Sequence, residues 1–376
     1  MSKIKRNLLL QFFVRCILYS TAGILALIAD PFGLESQSDD ASRDVFYRLI
    51  SPLYSSKVQK DIVIVLLNEK SIQSLYDSRI IASNEWPILY QDHGYLISRI
   101  ANYHPRAIFV DVYFKKNRST DNTFDAMYRR IKRASDYNNV PMYFSRGTGT
   151  ESLTPIQKKI SELGQLTVNG WSGYIQGYPL EENNIPTVAA ALYVESCGKD
   201  APFNACSDNY IDITKKSRGP ISVLWGNSPA PPVIRQTIKE CSKKNIFSQL
   251  IGGLFSGILD INPEDYLTST DCPFHQMIGI NELIAIDKGI YDDTRNDRFK
   301  KQLEEALRDK IIFYAIDFNG VNNRIVTPVH GTLPSVFLHA MALDNLIQYG
   351  NNYVRTNEDM GNFIATITWL FIVIIF

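Results

Sequence analysis

The chain has 376 residues, which is enough for one large or two smaller folded domains. Its 39 basic and 39 acidic side chains cancel, which excludes the strong positive charge of a nucleic-acid-binding protein, so no nucleic-acid partner is expected. A hydrophobic content of 45% with 21% charged residues is ordinary for a globular fold and is sufficient for a sizeable core.

Residues 1–30 are predicted to form a transmembrane anchor. Lys3, Lys5 and Arg6 precede an apolar stretch at residues 8–29, about 22 residues long, which is sufficient for a spanning helix. Basic residues before such a stretch favour a cytoplasmic N-terminus. A cleaved signal peptide is the alternative, because a charged start and an apolar core are also its signature. Both interpretations place the following residues across the membrane.

Four short runs of aliphatic and β-branched residues are typical of strands that are buried on both faces of a sheet. They lie at residues 61–67, 106–114, 140–145 and 310–318. Stretches with helical spacing of apolar residues lie within residues 85–105, 121–137, 297–309 and 331–350, and the last of them starts with a turn before its apolar positions begin at Val336. This order predicts parallel pairing in an α/β fold, a three-layer sandwich with a mostly parallel central sheet.

Two further features are the cap of one of these helices and an irregular range in the middle of the chain. Asp121 is predicted to be the N-cap of the helix at 121–137, since a carboxylate there can accept a free backbone N–H. The range from about 147 to 275 is less regular, and we interpret it as an insertion that elaborates one edge of the sheet.

The five cysteines indicate the redox environment. Cys16 lies in the predicted anchor, which leaves an even number in the exported part. Cys197 and Cys206 flank a short polar loop that a disulfide could close, and Cys241 with Cys272 is the remaining pair. Four buried free thiols are the alternative, because free cysteine packs as a small hydrophobe. The spacing lacks CxxC, so no metal site is expected.

Residues 359–376 are predicted to be the start of a second transmembrane segment. From Asn362 to Phe376 the chain is almost wholly apolar, but 15 residues of helix span only about 22 Å of a hydrocarbon core of roughly 30 Å. We expect that the chain is truncated within this segment. A helix completed by tilt, membrane thinning or a partner is the alternative.

Polar residues follow the predicted strands, where ligands of open α/β sheets bind. The candidate ligand-binding residues are Asn68, Glu69 and Ser71 after the first strand, Asp111 at the end of the second, Arg146 after the third, and Asp317 and Asn319 after the late strand. Capping of adjacent helices or loops is the alternative role for the two aspartates.

Acid–base chemistry is not expected, and no catalytic residue is assigned. His339 shares a helix face with apolar side chains and is predicted to be a packed residue, and His330 is predicted to be a turn residue. The GxSxG, HExxH, P-loop and GxGxxG motifs are absent from the sequence, so no cofactor is expected.

Four stretches, in this order, resemble the cyclase/histidine-kinase-associated sensory extracellular domain, type two, a bacterial sensor module. They are DIVIVLLNEKSIQSL, WPILYQDHGYLISRIANYHPRAIFVDVYF, KIIFYAIDFNGVNNRIVTPVHG and LPSVFLHAMALDNLI. The chain departs from the family pattern at Asn68, where an acidic residue is common, and at Ser335, where glycine is usual.

The resemblance implies that residues 31–358 form a non-enzymatic sensor domain on the periplasmic side of a bacterial inner membrane. Such a domain detects a small-molecule or protein signal and passes it through the membrane helices to a cytoplasmic or membrane output partner. The resemblance leaves open whether the domain forms a homodimer. The alternatives are an extracytoplasmic metal-dependent hydrolase that uses Asp111, Asp317 and His330, and an envelope scaffold protein.

Overall fold

The computed structural model describes residues 47–48, 50–116, 118–169, 177–198, 206–207, 219–233, 272–290, 293–318 and 324–355. The chain divides into two compact units, one of residues 51–355 and one of the two chain ends, 1–50 and 356–376. The predicted membrane segments at 1–30 and 359–376 lie outside the described residues. Within the described ranges, no helix is both long and apolar enough to cross a membrane.

Ten strands are defined among the described residues of the unit 51–355. They are β1 (Ile62–Asn68), β2 (Ala107–Asp111), β3 (Met142–Ser145), β4 (Gln165–Thr167), β5 (Glu181–Glu182), β6 (Ile185–Pro186), β7 (Gln276–Gly279), β8 (Ile311–Asp317), β9 (Arg324–Thr327) and β10 (Gly331–Pro334). Six of them form one sheet in the order β4-β3-β2-β8-β1-β7, and every pair in it is parallel. The predicted α/β class and parallel sheet are therefore confirmed.

The described part of this unit also contains eight α-helices. They are α1 (Glu69–Asp77), α2 (Tyr90–Ala101), α3 (Phe124–Asn138), α4 (Pro155–Ile160), α5 (Val188–Cys197), α6 (Ile280–Asp287), α7 (Asp293–Leu307) and α8 (Val336–Tyr349). The helices predicted within 85–105 and 331–350 correspond to α2 and α8. α2 begins at Tyr90, two residues after Ile88, and α8 begins at Val336, directly after the predicted turn. The β9–β10 hairpin and the β5–β6 hairpin lie outside the main sheet.

The central strands are buried on both faces, as their uninterrupted apolar sequences predict. Alternate residues of β1, beginning with Val63, join one large apolar cluster with side chains of α1, α2, α3, α4, α6 and α7. On the other face, Phe109 of β2 lies 6.0 Å from the ring of His339 in α8, measured between ring centroids. Because α5 and α8 contact the strands from that side, helices cover both faces of the sheet.

Asp121 does not cap α3, so that prediction is wrong. Thr123 is the residue that precedes α3, whereas Asp121 Oδ2 accepts the backbone N–H of Tyr90 at 2.7 Å. Thr123 Oγ1 likewise accepts the N–H of Gln91 at 3.0 Å. The reason is that Leu89, at the start of α2, has no side-chain acceptor, so the loop before α3 supplies the cap for α2.

The structure describes only part of the predicted insertion at about 147–275. Within it, β4 pairs with β3 and α5 packs against α8. The predicted disulfide between Cys197 and Cys206 is present, with a Cα–Cα distance of 5.8 Å. Cys272 is also disulfide-bonded, but Cys241 lies outside the described residues, so the Cys241–Cys272 pairing stays a prediction.

Candidate functional site

The candidate site lies at the carboxyl ends of β1, β8 and β2. After β1 the chain enters α1, and after β2 it reaches α3, both of which pack into the large apolar cluster on one face. After β8 the chain leads through the β9–β10 hairpin to α8 on the opposite face. Neighbouring strands whose chains leave toward opposite faces open a crevice between them, and ligands of α/β sheets bind in such crevices.

Asn68 and Ser71 are brought together, but they bind each other. Asn68 Oδ1 accepts the backbone N–H of Ser71 at 2.9 Å, which caps α1. The Ser71 hydroxyl lies 3.0 Å from Asn68 Oδ1 and 2.8 Å from Asn281 Oδ1, so its single proton serves one of them at a time. Ser71 is fully buried. These two residues therefore fix α1 against the start of α6.

Asp317 lies directly opposite Asn68 in the register of β8 and β1. Its carboxylate accepts from Arg324 Nη1 at 2.5 Å, and the same guanidinium donates to the carbonyl of Thr332 at 3.3 Å. Asp317 therefore anchors the β9–β10 hairpin to the end of β8.

Asp111 differs from the other residues at this edge because its charge is not compensated. Its side chain is buried, and Oδ2 has no hydrogen-bond partner among the described residues. Desolvation raises the pKa of this carboxyl to about 7. The carboxylate also contributes, after burial, to the raised pKa of Tyr178. A buried carboxyl that ionises near neutral pH is a feature of functional sites and of proton-linked switches.

Tyr178 connects this region to α8. Its hydroxyl lies 3.0 Å from His339 Nδ1 and accepts the backbone N–H of Ala189 at 3.2 Å. Burial lowers the pKa of His339 to about 4, so the ring is neutral at physiological pH. The sequence-based interpretation of His339 as a packed residue agrees with this environment.

The remaining predicted site residues are spread along the edge. Arg146 donates through Nη2 to the carbonyl of Glu151 at 2.6 Å, which stabilises the loop after β3. Asn319 lies outside the described residues. Glu69 is exposed and lines a cavity of about 550 Å³, which we call the edge cavity. Its other lining residues are Lys70, Ile72, Gln73, Asn84, Glu85, Trp86 and Phe318.

An aromatic pair forms one wall of the edge cavity. The Trp86 ring stacks on Phe318 with a centroid distance of 5.0 Å and an interplanar angle of 30°. Trp86 also meets His93 edge-on at 5.8 Å, and the peptide bond between Trp86 and Pro87 is cis. Glu69, Lys70 and Glu85 have no ion-pair partner among the described residues. The cavity therefore offers a flat apolar surface bordered by free charges.

The sequence matches the family model of the CHASE2 domain over residues 20–375. The chain belongs to the CHASE2 family. The resemblance stated from the sequence is thus confirmed, and the family is one of extracytoplasmic sensor domains rather than of enzymes. The Cys197–Cys206 disulfide is consistent with that compartment. No curated protein and no solved structure matches the chain.

The geometry of this CHASE2 domain gives little support to the hydrolase alternative. His330 Nε2 donates to the carbonyl of Gly226 at 2.8 Å, and burial lowers the pKa of this imidazole to about 4. The ring packs against Trp225 at a centroid distance of 5.9 Å. Across the described ranges, no group of three or more His, Cys, Asp or Glu side chains could hold a metal ion.

Sequence reasoning missed three residues of the edge cavity. Trp86, Glu85 and Phe318 line the edge cavity but are not among the candidate residues that the sequence indicates. The position of Phe318 directly after β8, at the carboxyl end of a strand, could have identified it as a candidate residue. Trp86 and Glu85 lie in a loop without periodicity, so only the folded chain shows that they face the carboxyl end of the sheet.

Proposed function

We propose that this CHASE2 domain senses a small organic cation that binds in the edge cavity. The family implies a sensory role, and the cavity lies at the crevice where α/β sheets bind ligands. The stacked pair of Trp86 and Phe318 carries the proposal, because it presents a flat apolar wall. Glu69 and Glu85 outnumber Lys70 around this wall, and a ligand cation gains from both the carboxylates and the aromatic faces.

Phenethylamine is a suitable probe, because it carries an aromatic ring and is protonated at neutral pH. We expect it to bind the purified full-length chain in isothermal titration calorimetry, whereas 3-phenylpropionate, which has the opposite charge, does not. Trp86→Ala is expected to weaken binding by roughly tenfold or more. Equal binding of the amine and the carboxylate, or binding that is unchanged in Trp86→Ala, contradicts the proposed ligand class.

We further propose that the domain is attached at both ends to a bacterial inner membrane, with its main unit in the periplasm. The apolar segments at 1–30 and 359–376 support this arrangement. The signal then passes through these segments to a cytoplasmic or membrane output partner, which requires that the ligand favour one of two conformational states. Topology reporters fused at Ser2, Ser217 and Phe376 test the arrangement. A cytoplasmic reporter at Ser217 contradicts it.

A hydrogen-bond network in the unit of residues 51–355 supports the proposal that a signal passes from the domain to the chain ends. Tyr54, His275, Asp344, Asn345 and Gln348, which we call the chain-end network, join the beginning and the end of the unit. The Tyr54 hydroxyl donates to Asp344 Oδ1 at 2.6 Å, and Asn345 Nδ2 donates to that hydroxyl at 3.0 Å. Gln348 donates to Asp344 and to the carbonyl of Ser55.

The chain-end network is buried at its centre. His275 Nε2 lies 3.0 Å from Asp344 Oδ2, and both side chains are inaccessible to solvent. Burial, and then the charge of Asp344, raise the pKa of Tyr54 well above its usual value, so the phenol stays protonated and donates. The two segments that lead toward the chain ends are thus held together, and a change in α8 is transmitted to residues 54 and 55.

A further inference from the structure

A second cavity lies among three of the helices that cover one face of the sheet. Its volume is about 770 Å³, and we call it the helix cavity. It is formed by the end of α1, the segment that follows it, α2 and α3, and it shares no lining residue with the edge cavity. The lining residues that carry the argument are Tyr76, Arg79, Ile80, Gln91, Tyr95 and Arg130.

Positive charge is concentrated around Tyr95. The guanidinium carbons of Arg130 and Arg99 lie 5.5 and 6.0 Å from the centroid of its ring, and the Lys288 ammonium lies at 6.0 Å. Arg99 is paired with Asp287. Arg79, Arg130 and Lys288 have no ion-pair partner among the described residues, so their charges are available to a ligand.

The two carboxylates that line the helix cavity are engaged elsewhere. Asp92 accepts the backbone N–H groups of Ala82 and Ser83 at 3.3 and 3.2 Å and the Ser83 hydroxyl at 2.7 Å. Asp77 accepts from the side-chain amide of Gln73 at 2.8 Å. Asp92 is thereby held by three donors, whereas Asp77 is exposed and keeps one oxygen without a hydrogen bond among the described residues. Of the described residues that line the cavity, the unpaired cations are Arg79 and Arg130.

Tyr95 supplies an independent indication of a ligand. Its hydroxyl is buried and has no hydrogen-bond partner among the described residues. A buried donor without an acceptor destabilises a fold. The hydroxyl is covered in this structure, so an acceptor from the helix cavity reaches it when the side chains around it move, and the nearby cations favour an acceptor that is negatively charged.

We propose that the helix cavity binds a small anion, namely a carboxylate or phosphate group carried on an apolar body. Arg79 and Arg130 hold the charged group, because guanidinium groups match the geometry of carboxylate and phosphate. The Tyr95 hydroxyl and the Gln91 amide donate to it, and Tyr76 and Ile80 contact the apolar body. This site does not depend on the ligand of the edge cavity.

Calorimetry on the full-length chain tests the site, with phenyl phosphate and benzoate as probes and benzylamine as the control of opposite charge. We expect at least one of the two anions to bind and benzylamine not to compete with it. Arg79→Gln and Arg130→Gln each lower the affinity roughly tenfold or more. Arg133→Gln, an exposed arginine of α3 that does not line the helix cavity, leaves the affinity unchanged within about twofold.

Tyr95→Phe provides a readout that separates binding from folding. The variant is expected to bind the anion severalfold more weakly, while its melting temperature without anion is equal to or above that of the wild type, because the unpartnered hydroxyl is removed. Four outcomes each overturn the site: binding of neither anion at about 10 mM, wild-type affinity in both arginine variants, an equal loss in Arg133→Gln, or wild-type affinity in Tyr95→Phe.

Discussion

The edge cavity and the chain-end network have opposite physical characters. In the edge cavity, Glu69, Lys70 and Glu85 are exposed, and the described residues leave them without ion pairs. In the chain-end network, the Asp344 carboxylate is inaccessible and accepts from Tyr54, His275 and Gln348. Uncompensated charges are available to a ligand, whereas a buried carboxylate that accepts three hydrogen bonds is suited to holding two segments in fixed register.

The comparison predicts that the two regions respond differently to substitution. A change in the edge cavity should alter binding with little effect on folding, because the side chains there are exposed. A change in the chain-end network should alter folding stability, because it leaves buried donors without an acceptor. The following predictions test this difference, from the largest expected effect to the smallest.

Asp344→Ala should lower the free energy of unfolding by about 3 kcal/mol, because His275, Tyr54 and Gln348 all lose their acceptor inside the protein. Urea denaturation followed by circular dichroism measures the loss. Asp136→Ala is the matched control, since this aspartate is exposed and paired only with Lys132 at 3.7 Å, and its loss should stay below about 1 kcal/mol. Equal losses of unfolding free energy in Asp344→Ala and Asp136→Ala would contradict the structural role assigned to the chain-end network.

Asp111→Asn should stabilise the domain in a pH-dependent manner. Burial raises the folded-state pKa of this carboxyl to about 7, while the unfolded value is about 3.9. The wild-type protein therefore loses stability as the pH rises from about 4 to 7, because the folded state retains a proton that the unfolded state has released. At pH 8 the variant should be more stable by about 2 kcal/mol, and at pH 4 it should show no such gain.

Urea midpoints of the two proteins, measured at pH 4, 6 and 8, check this dependence. Asp125→Asn is the control, because Asp125 is exposed and pairs with Lys159 at the surface. A stability difference that does not change with pH would show that Asp111 is compensated in solution.

Trp86→Ala should lower the affinity for phenethylamine by roughly tenfold or more, because it removes the ring that stacks on Phe318. Trp86→Phe keeps an aromatic face and should lose only a fraction of that affinity. Calorimetry on the two variants provides the measurement. If Trp86→Phe and Trp86→Ala weaken binding equally, the aromatic wall does not contact the ligand.

Glu69→Gln and Glu85→Gln should each weaken phenethylamine binding by only about two- to threefold, since exposed charges are screened by water and salt. Raising the salt concentration should reduce the wild-type affinity more than the affinity of the double variant. Glu181→Gln, in the exposed β5–β6 hairpin, serves as the control with no expected effect.

The central strands and the last helix could be predicted from the sequence because local patterns determine them. Uninterrupted apolar runs identify β1, β2 and β8, and Asn68, Asp111 and Asp317 lie at one edge of the sheet as predicted. Asp121 was assigned to the wrong helix because a cap is chosen by proximity in space, and the start of α2 lies beside the loop that contains Asp121.

The chain-end network could not be predicted because it joins residues about 290 positions apart in the chain. One signal was available in α8, where Asp344 and Asn345 are adjacent polar residues in a mostly apolar helix. A buried polar pair in that setting requires partners. The sequence alone does not indicate that Tyr54 and His275 supply them.

The most direct test of the central claim is whether occupancy of the edge cavity reaches the chain-end network. Hydrogen exchange of the full-length chain, followed by mass spectrometry with and without saturating phenethylamine, measures this in one experiment. The account predicts slower exchange in α1 and residues 84–86 and a simultaneous change in the last turns of α8, around Asp344 to Gln348. Slower exchange confined to the edge cavity, with α8 unchanged, would contradict it.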